Sequence, residues 1–290
     1  MTNSDWDRGE IKRLARSSGK PYEVRCAQVF RAAGWMPYMG THFAHAGNTP
    51  RELDLLVLKA KSLPSPDPIT CQLRVLVSCR GFPSGQSPLT YSMLTSVPVL
   101  TPHLLASFRA LSTGGACEVS GLLACLEEMS AFTLLRYTSL ASARPLLSFD
   151  MIKRTNGKDA PKYERCKDGD RLLFSAIDSA MNAAFYWSQG GKQEGGSRAR
   201  VISLNIPVCV LSLPFWDVCI DEGTVSEPEI RHYGHQTLAY PATPDPRLVT
   251  TFIWSEEALG SLVAALDNLL IWFHSEVQKP MFAGLLSPAA

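Results

Sequence analysis

Two short apolar segments constrain this chain more than anything else in it. The first is Arg51-Glu52-Leu53-Asp54-Leu55-Leu56-Val57-Leu58, and the second is Leu73-Arg74-Val75-Leu76-Val77-Ser78-Cys79-Arg80-Gly81. The first sets an acid, Asp54, inside a strand-like run. Taking a carboxylate out of water without a partner is costly, so a strand that keeps one there has a use for it, and a metal ion is the usual one. The second segment ends a strand-like run on Ser-x-Arg. It stands where a metal site needs another acid and a cation, and it supplies a hydroxyl and a guanidinium instead.

The bulk numbers allow a sizeable core. The chain has 290 residues, 46% hydrophobic and 19% charged, which suits one large domain or two small ones. A formal net charge of +1 gives no overall pull toward nucleic acid or an acidic membrane, so any DNA contact must come from a local patch. None of the eight cysteines falls in a Cys-x-x-Cys pair, which argues against a zinc ribbon or a dithiol redox motif. Several, such as Cys209 in Val208-Cys209-Val210-Leu211, read as small buried hydrophobes. The polar segment Met1-Thr2-Asn3-Ser4-Asp5-Trp6-Asp7 does not read as a signal peptide. No uninterrupted apolar stretch reaches the roughly 18 residues of a membrane span. Free thiols without a signal give a reducing, cytoplasmic location as the expectation.

Along the chain, residues 10–34 have helical spacing, and Pro21 makes 21–33 the firmer helix. Strands are expected at 35–43, 51–60 and 71–80, with a turn at 45–50 and proline-rich or glycine-rich loops at 64–68 and 81–88. This makes the front third an α-β-β-β unit. The middle reads as helical over 104–111, 119–129 and 132–140, followed by a strand at 145–152. The basic run of Lys153, Arg154, Lys158, Lys162, Arg165 and Lys167 reads as a solvated loop. A strong helix is expected at 170–188 and a polar glycine-rich loop at 190–196, which lacks the Gly-Lys-Ser/Thr of a phosphate-binding loop. Further strands are expected at 201–213, kinked by Pro207, at 215–221 as its paired neighbour, and at 248–254. Ser255-Glu256-Glu257 caps a last helix to about Val277, and the tail from Lys279 reads as loose.

At Glu23, Asp54 and Val77-Ser78-Cys79-Arg80-Gly81 the chain resembles the restriction-endonuclease-like PD-(D/E)XK nuclease superfamily. Arg51-Glu52-Leu53-Asp54 is similar to its Arg-Glu-Ile-Asp strand, and Ser78-Cys79-Arg80-Gly81 to its Glu-Cys-Lys-Gly strand end. The resemblance implies an α/β fold: a restriction-endonuclease-like core of helix, three-stranded meander, helix and further strands. It implies one domain over 1–290, with core motifs at 20–82, a helical insertion at about 100–142 and an elaborated C-terminal half at about 200–278. It also implies a site in which Asp54 and Glu23 bind Mg2+ through oxygen, the Cys79 carbonyl completes the shell, and Arg80 stabilises a phosphate.

Two positions depart from that pattern. Ser78 replaces the acid, and a neutral hydroxyl is a poor magnesium ligand that would at most position a water. Arg80 replaces the lysine; it stays protonated and cannot act as a base, though it can still clamp a phosphate. Glu52 reads as pointing away from Asp54 and so as a poor substitute. Three readings stand open: a catalytically impaired nuclease fold that binds DNA or a protein partner, a working magnesium-dependent endonuclease with a rearranged site, and an unrelated domain in which Arg74 or Arg80 pairs with Asp54.

Other candidates are weaker. His42-x-x-His45 and His232-x-x-His235 have metal-ligand spacing but read as solvated loop histidines. No Gly-x-Ser-x-Gly elbow supports Ser78 as a nucleophile. Cys79 has Arg80 beside it in sequence, but strand neighbours face opposite ways, so the thiol is not activated by it. The basic residues from Lys153 to Lys167, with Lys192, Arg198 and Arg200, could meet phosphates without reading sequence.

Overall fold

The computed structural model describes residues 18–44, 50–63, 69–93, 102–109, 116–138, 145–157, 160–167, 169–189, 200–221, 223–240 and 247–282, with positions 7, 9, 10, 12 and 15. The expected turn at 45–50 and the loops at 64–68 and 190–196 lie wholly or almost wholly outside these residues, as does His45.

Helix α1 (Lys20–Ala32) starts with a proline in its first turn and buries Tyr22, Glu23, Cys26, Ala27 and Phe30, a stripe at helical spacing. It stops where Gly34 takes φ 77. There Gly34 N–H bonds Arg31 C=O at 3.0 Å and Trp35 N–H bonds Phe30 C=O at 3.1 Å, the paired closure that a left-handed glycine permits. Strands β1 (Met36–Ala44), β2 (Pro50–Leu63) and β3 (Ile69–Arg80) follow as an antiparallel meander, as the sequence pattern predicts.

Beyond β3 the chain departs from expectation. Gln86–Met93, partly read as loop, is strand β4, and Leu105–Arg109, read as helix, is strand β5. Helix α2 (Ala116–Tyr137) fuses two of the expected short helices. Four residues of the basic run, Lys153, Arg154, Lys162 and Arg165, lie not in loop but in β6 (Leu146–Asn156) and β7 (Pro161–Arg165), which pair antiparallel; Lys158 lies outside the described residues. Helix α3 (Gly169–Ser188) and strand β8 (Arg200–Leu211) match their patterns. Phe215–Asp221 is strand β9, but it pairs with β4 in a different sheet rather than with β8. Three strands went unread: β10 (Thr224–Val225), β11 (Glu229–Arg231) and β12 (Tyr233–Tyr240). The chain closes with β13 (Arg247–Ser255), a 3-10 turn at Glu256–Ala258 and helix α4 (Leu259–Val277). Ser255 makes no side-chain cap there; its N–H instead bonds His232 C=O at 2.7 Å.

These strands form two mixed sheets. The first runs β1-β2-β3-β8-β13-β12, with β5 also on β8; the second runs β10-β9-β4-β6-β7, with β11 also on β9. The central pair, β3 and β8, is parallel over twelve residues, from Ile69↔Arg200 to Arg80↔Leu211. Both strands are buried almost throughout, as parallel strands covered on both faces are.

On one side of the first sheet, Cys26 and Phe30 of α1, Leu126 and Leu134 of α2, and Leu262, Leu266, Leu269 and Phe273 of α4 share a core with Val75, Val77, Leu204 and Ile206. On the other side lies α3, whose Leu173, Ala176 and Ile177 also meet Phe149 and Met151 of the second sheet. Helix α4 lies within a segment that by length and composition could cross a membrane, with 44% of the relevant window buried; the core packing of its leucines accounts for its apolar character. The tail is docked at its start, with Phe282 fully buried.

One tie joins both sides of the first core. Trp35 Nε1 donates to Asp267 Oδ1 of α4 at 3.0 Å, and Lys59 Nζ of β2 reaches the same oxygen at 2.7 Å and Ala33 C=O at 2.9 Å. The end of α1 is thereby fixed against β2 and α4.

Candidate functional site

Asp54 sits where two strands part. Pairing between β2 and β3 runs from Leu63↔Ile69 to Leu55↔Val77 and ends there. Beyond that point β2 stays with β1, and β3 stays with β8 to Arg80. On the β1 side, the Cα register passes over Gly40 and Asp54, and Gly40 takes φ 60. The Asp54 side chain fills the opening: Oδ2 accepts the Cys79 N–H at 2.7 Å and the Ser78 hydroxyl at 3.3 Å. The carboxylate thus takes a backbone donor that the parted ladder leaves over.

Helix α1 brings a second acid to the opening. Glu23 is 5% exposed. Burial pushes its pKa up and the Asp54 charge adds to this, while the hydrogen bond from Lys20 opposes both. Lys20 Nζ stands 3.0 Å from Glu23 Oε2 and 2.8 Å from Glu52 Oε1. These two bonds hold the Lys20 pKa up and the Glu52 pKa down. Glu52 is therefore not turned away from the cluster; Lys20 ties it to Glu23. Residues two apart on a strand share a face, and the expectation for Glu52 missed this.

The two departures from the nuclease pattern separate. Ser78 touches Asp54. Arg80 instead donates from Nη2 to Ser175 Oγ of α3 at 3.1 Å, and its buried Nε has no partner among the described residues. Among the described residues Arg80 makes no ion pair with Asp54 or Glu23, and neither Arg80 nor Arg74 neutralises Asp54. Arg74 lies against Gln72 and the Trp187 ring.

Cys79 contributes a backbone amide rather than a thiol. Its sulfur is buried and shares a hydrogen bond with Cys26, which together with burial raises its pKa far above the usual thiol range. Cys209, beside Ser78 in the parallel ladder, is pushed up to about 12 by burial. Protonated, enclosed thiols are poor nucleophiles.

The donors fit a magnesium ion poorly. Asp54 Oδ2 already accepts two hydrogen bonds, an ammonium holds Glu23 Oε2, and no group of three His, Cys, Asp or Glu among the described residues is arranged to hold a metal. The histidines do not add one. His42 lies within β1, and His235 is buried in β12 rather than solvated in a loop, its pKa lowered to about 4 by burial.

Of the residues the sequence singles out, Glu23, Asp54, Ser78 and the Cys79 amide gather at this opening, while Arg80 turns to Ser175; Lys20 and Ser175 were not singled out, and Glu52 was set aside. The Lys20–Glu23 spacing of three on a helix was a usable signal. The Lys20–Glu52 and Arg80–Ser175 contacts join distant segments, and no local pattern announces them. No protein-family model matches the chain, and neither a curated protein nor a solved structure does.

Proposed function

We propose that this chain is a nuclease-superfamily protein linked to DNA whose hydrolysis is impaired, working in a reducing cytoplasm. The observation that carries the reading is Asp54 at the parting of β2 and β3, flanked by Glu23 from the preceding helix. It is supported by chain order: helix, antiparallel meander, later helix, then a strand parallel to the last strand of the meander. Impairment follows from chemistry. The position next to Asp54 that would bind metal is a serine engaged in a hydrogen bond. The position that would carry a lysine is an arginine turned to Ser175.

One observation favours a rearranged endonuclease instead. Lys20 and Glu52 bring an ammonium and a third carboxylate to the Glu23 side, the two group types missing from Ser78 and Arg80. Metal could enter only if Lys20 released both acids.

Titration calorimetry with magnesium and manganese, on the wild type and Asp54→Ala with plasmid nicking alongside, separates the readings. Impairment predicts neither saturable metal binding nor nicking in either protein. Metal binding and nicking that vanish in Asp54→Ala and in Glu52→Gln would establish the rearranged enzyme.

A further inference from the structure

We draw no further inference here: the strongest candidate, the cluster of His232, Ser255 and Glu257 where β13 gives way to the turn before α4, sets His232 Nδ1 3.1 Å from Ser255 Oγ and 3.7 Å from Glu257 Oε2, but it carries no nucleophilic site because the serine is fully buried and the acid meets the same ring nitrogen as the hydroxyl instead of orienting the ring from the other one.

Discussion

The Asp54 carboxylate accepts the Cys79 backbone N–H at 2.7 Å across the gap where β2 leaves β3. A side chain here does the work of a missing ladder bond. Asp54→Ala therefore strands a buried amide, which costs about 1–3 kcal/mol. Asp54→Asn keeps an acceptor and should lose less. Urea unfolding of both variants ranks them, and hydrogen exchange at the Cys79 amide should speed up in the alanine variant first. Equal losses in the two would mean that the bond contributes little.

Lys20 is the counter-ion for an acid that has almost no water. Burial raises the Glu23 pKa, and Lys20 is the group that draws it back. Lys20→Met should raise it further. The sign is that of an acid whose folded pKa exceeds its unfolded one: stability is favoured while the acid is protonated and is lost as pH rises through the folded value. The variant should thus be weakened relative to wild type at pH 7, with the gap closing toward pH 4. A gap that stays constant with pH would assign the loss to packing of the lysine stem.

The legible parts of this fold are those whose burial leaves a simple pattern. Helix α1 announces itself by the stripe of Tyr22, Cys26, Ala27 and Phe30, and β3 and β8 by apolar runs that are buried almost throughout. The second sheet was read poorly for the converse reason. Its β7 buries nothing, and β4 buries Thr90 and Ser92, which bond Asp217, so a polar strand looks like loop. The expected pairing of β9 with β8 failed because Pro214 ends one sheet and starts the other, a choice made by distant Leu89 and Tyr91. At the site, motif spacing picked out Asp54 and Glu23, while Lys20 and Glu52 meet across a sequence separation of 32 that no local pattern spans.

Asp217 is held at the heart of that second sheet. It is 2% exposed and bonds Thr90 Oγ1 at 2.9 Å, Ser92 Oγ at 2.8 Å and Arg231 Nε at 3.1 Å. Removing one partner of a buried pair leaves the other charge uncompensated, at about 3–5 kcal/mol. Arg231→Met should show a loss of this order in chemical denaturation. Adding Asp217→Asn should recover part of it, because the charge goes while both hydroxyls keep a partner. A double variant no more stable than Arg231→Met would place the arginine's contribution in its packing against β9.

His235 should make the protein acid-sensitive. It is 6% exposed, its Nδ1 has no partner among the described residues, and burial lowers its pKa to about 4. In the unfolded chain a histidine titrates near 6.5, so between these values the unfolded state binds a proton that the native state refuses. Stability is then full above about pH 6.5 and falls as pH drops toward 4, by about 3 kcal/mol for this one group. The opposite trend expected from Glu23 acts over an overlapping range, so the two must be separated by mutation. His235→Leu removes the proton site while keeping an apolar side chain. Its urea midpoint should fall less than that of wild type between pH 7 and pH 5. Identical pH dependence in the two proteins would mean that the imidazole is protonated in the folded state and that β12 opens to admit water.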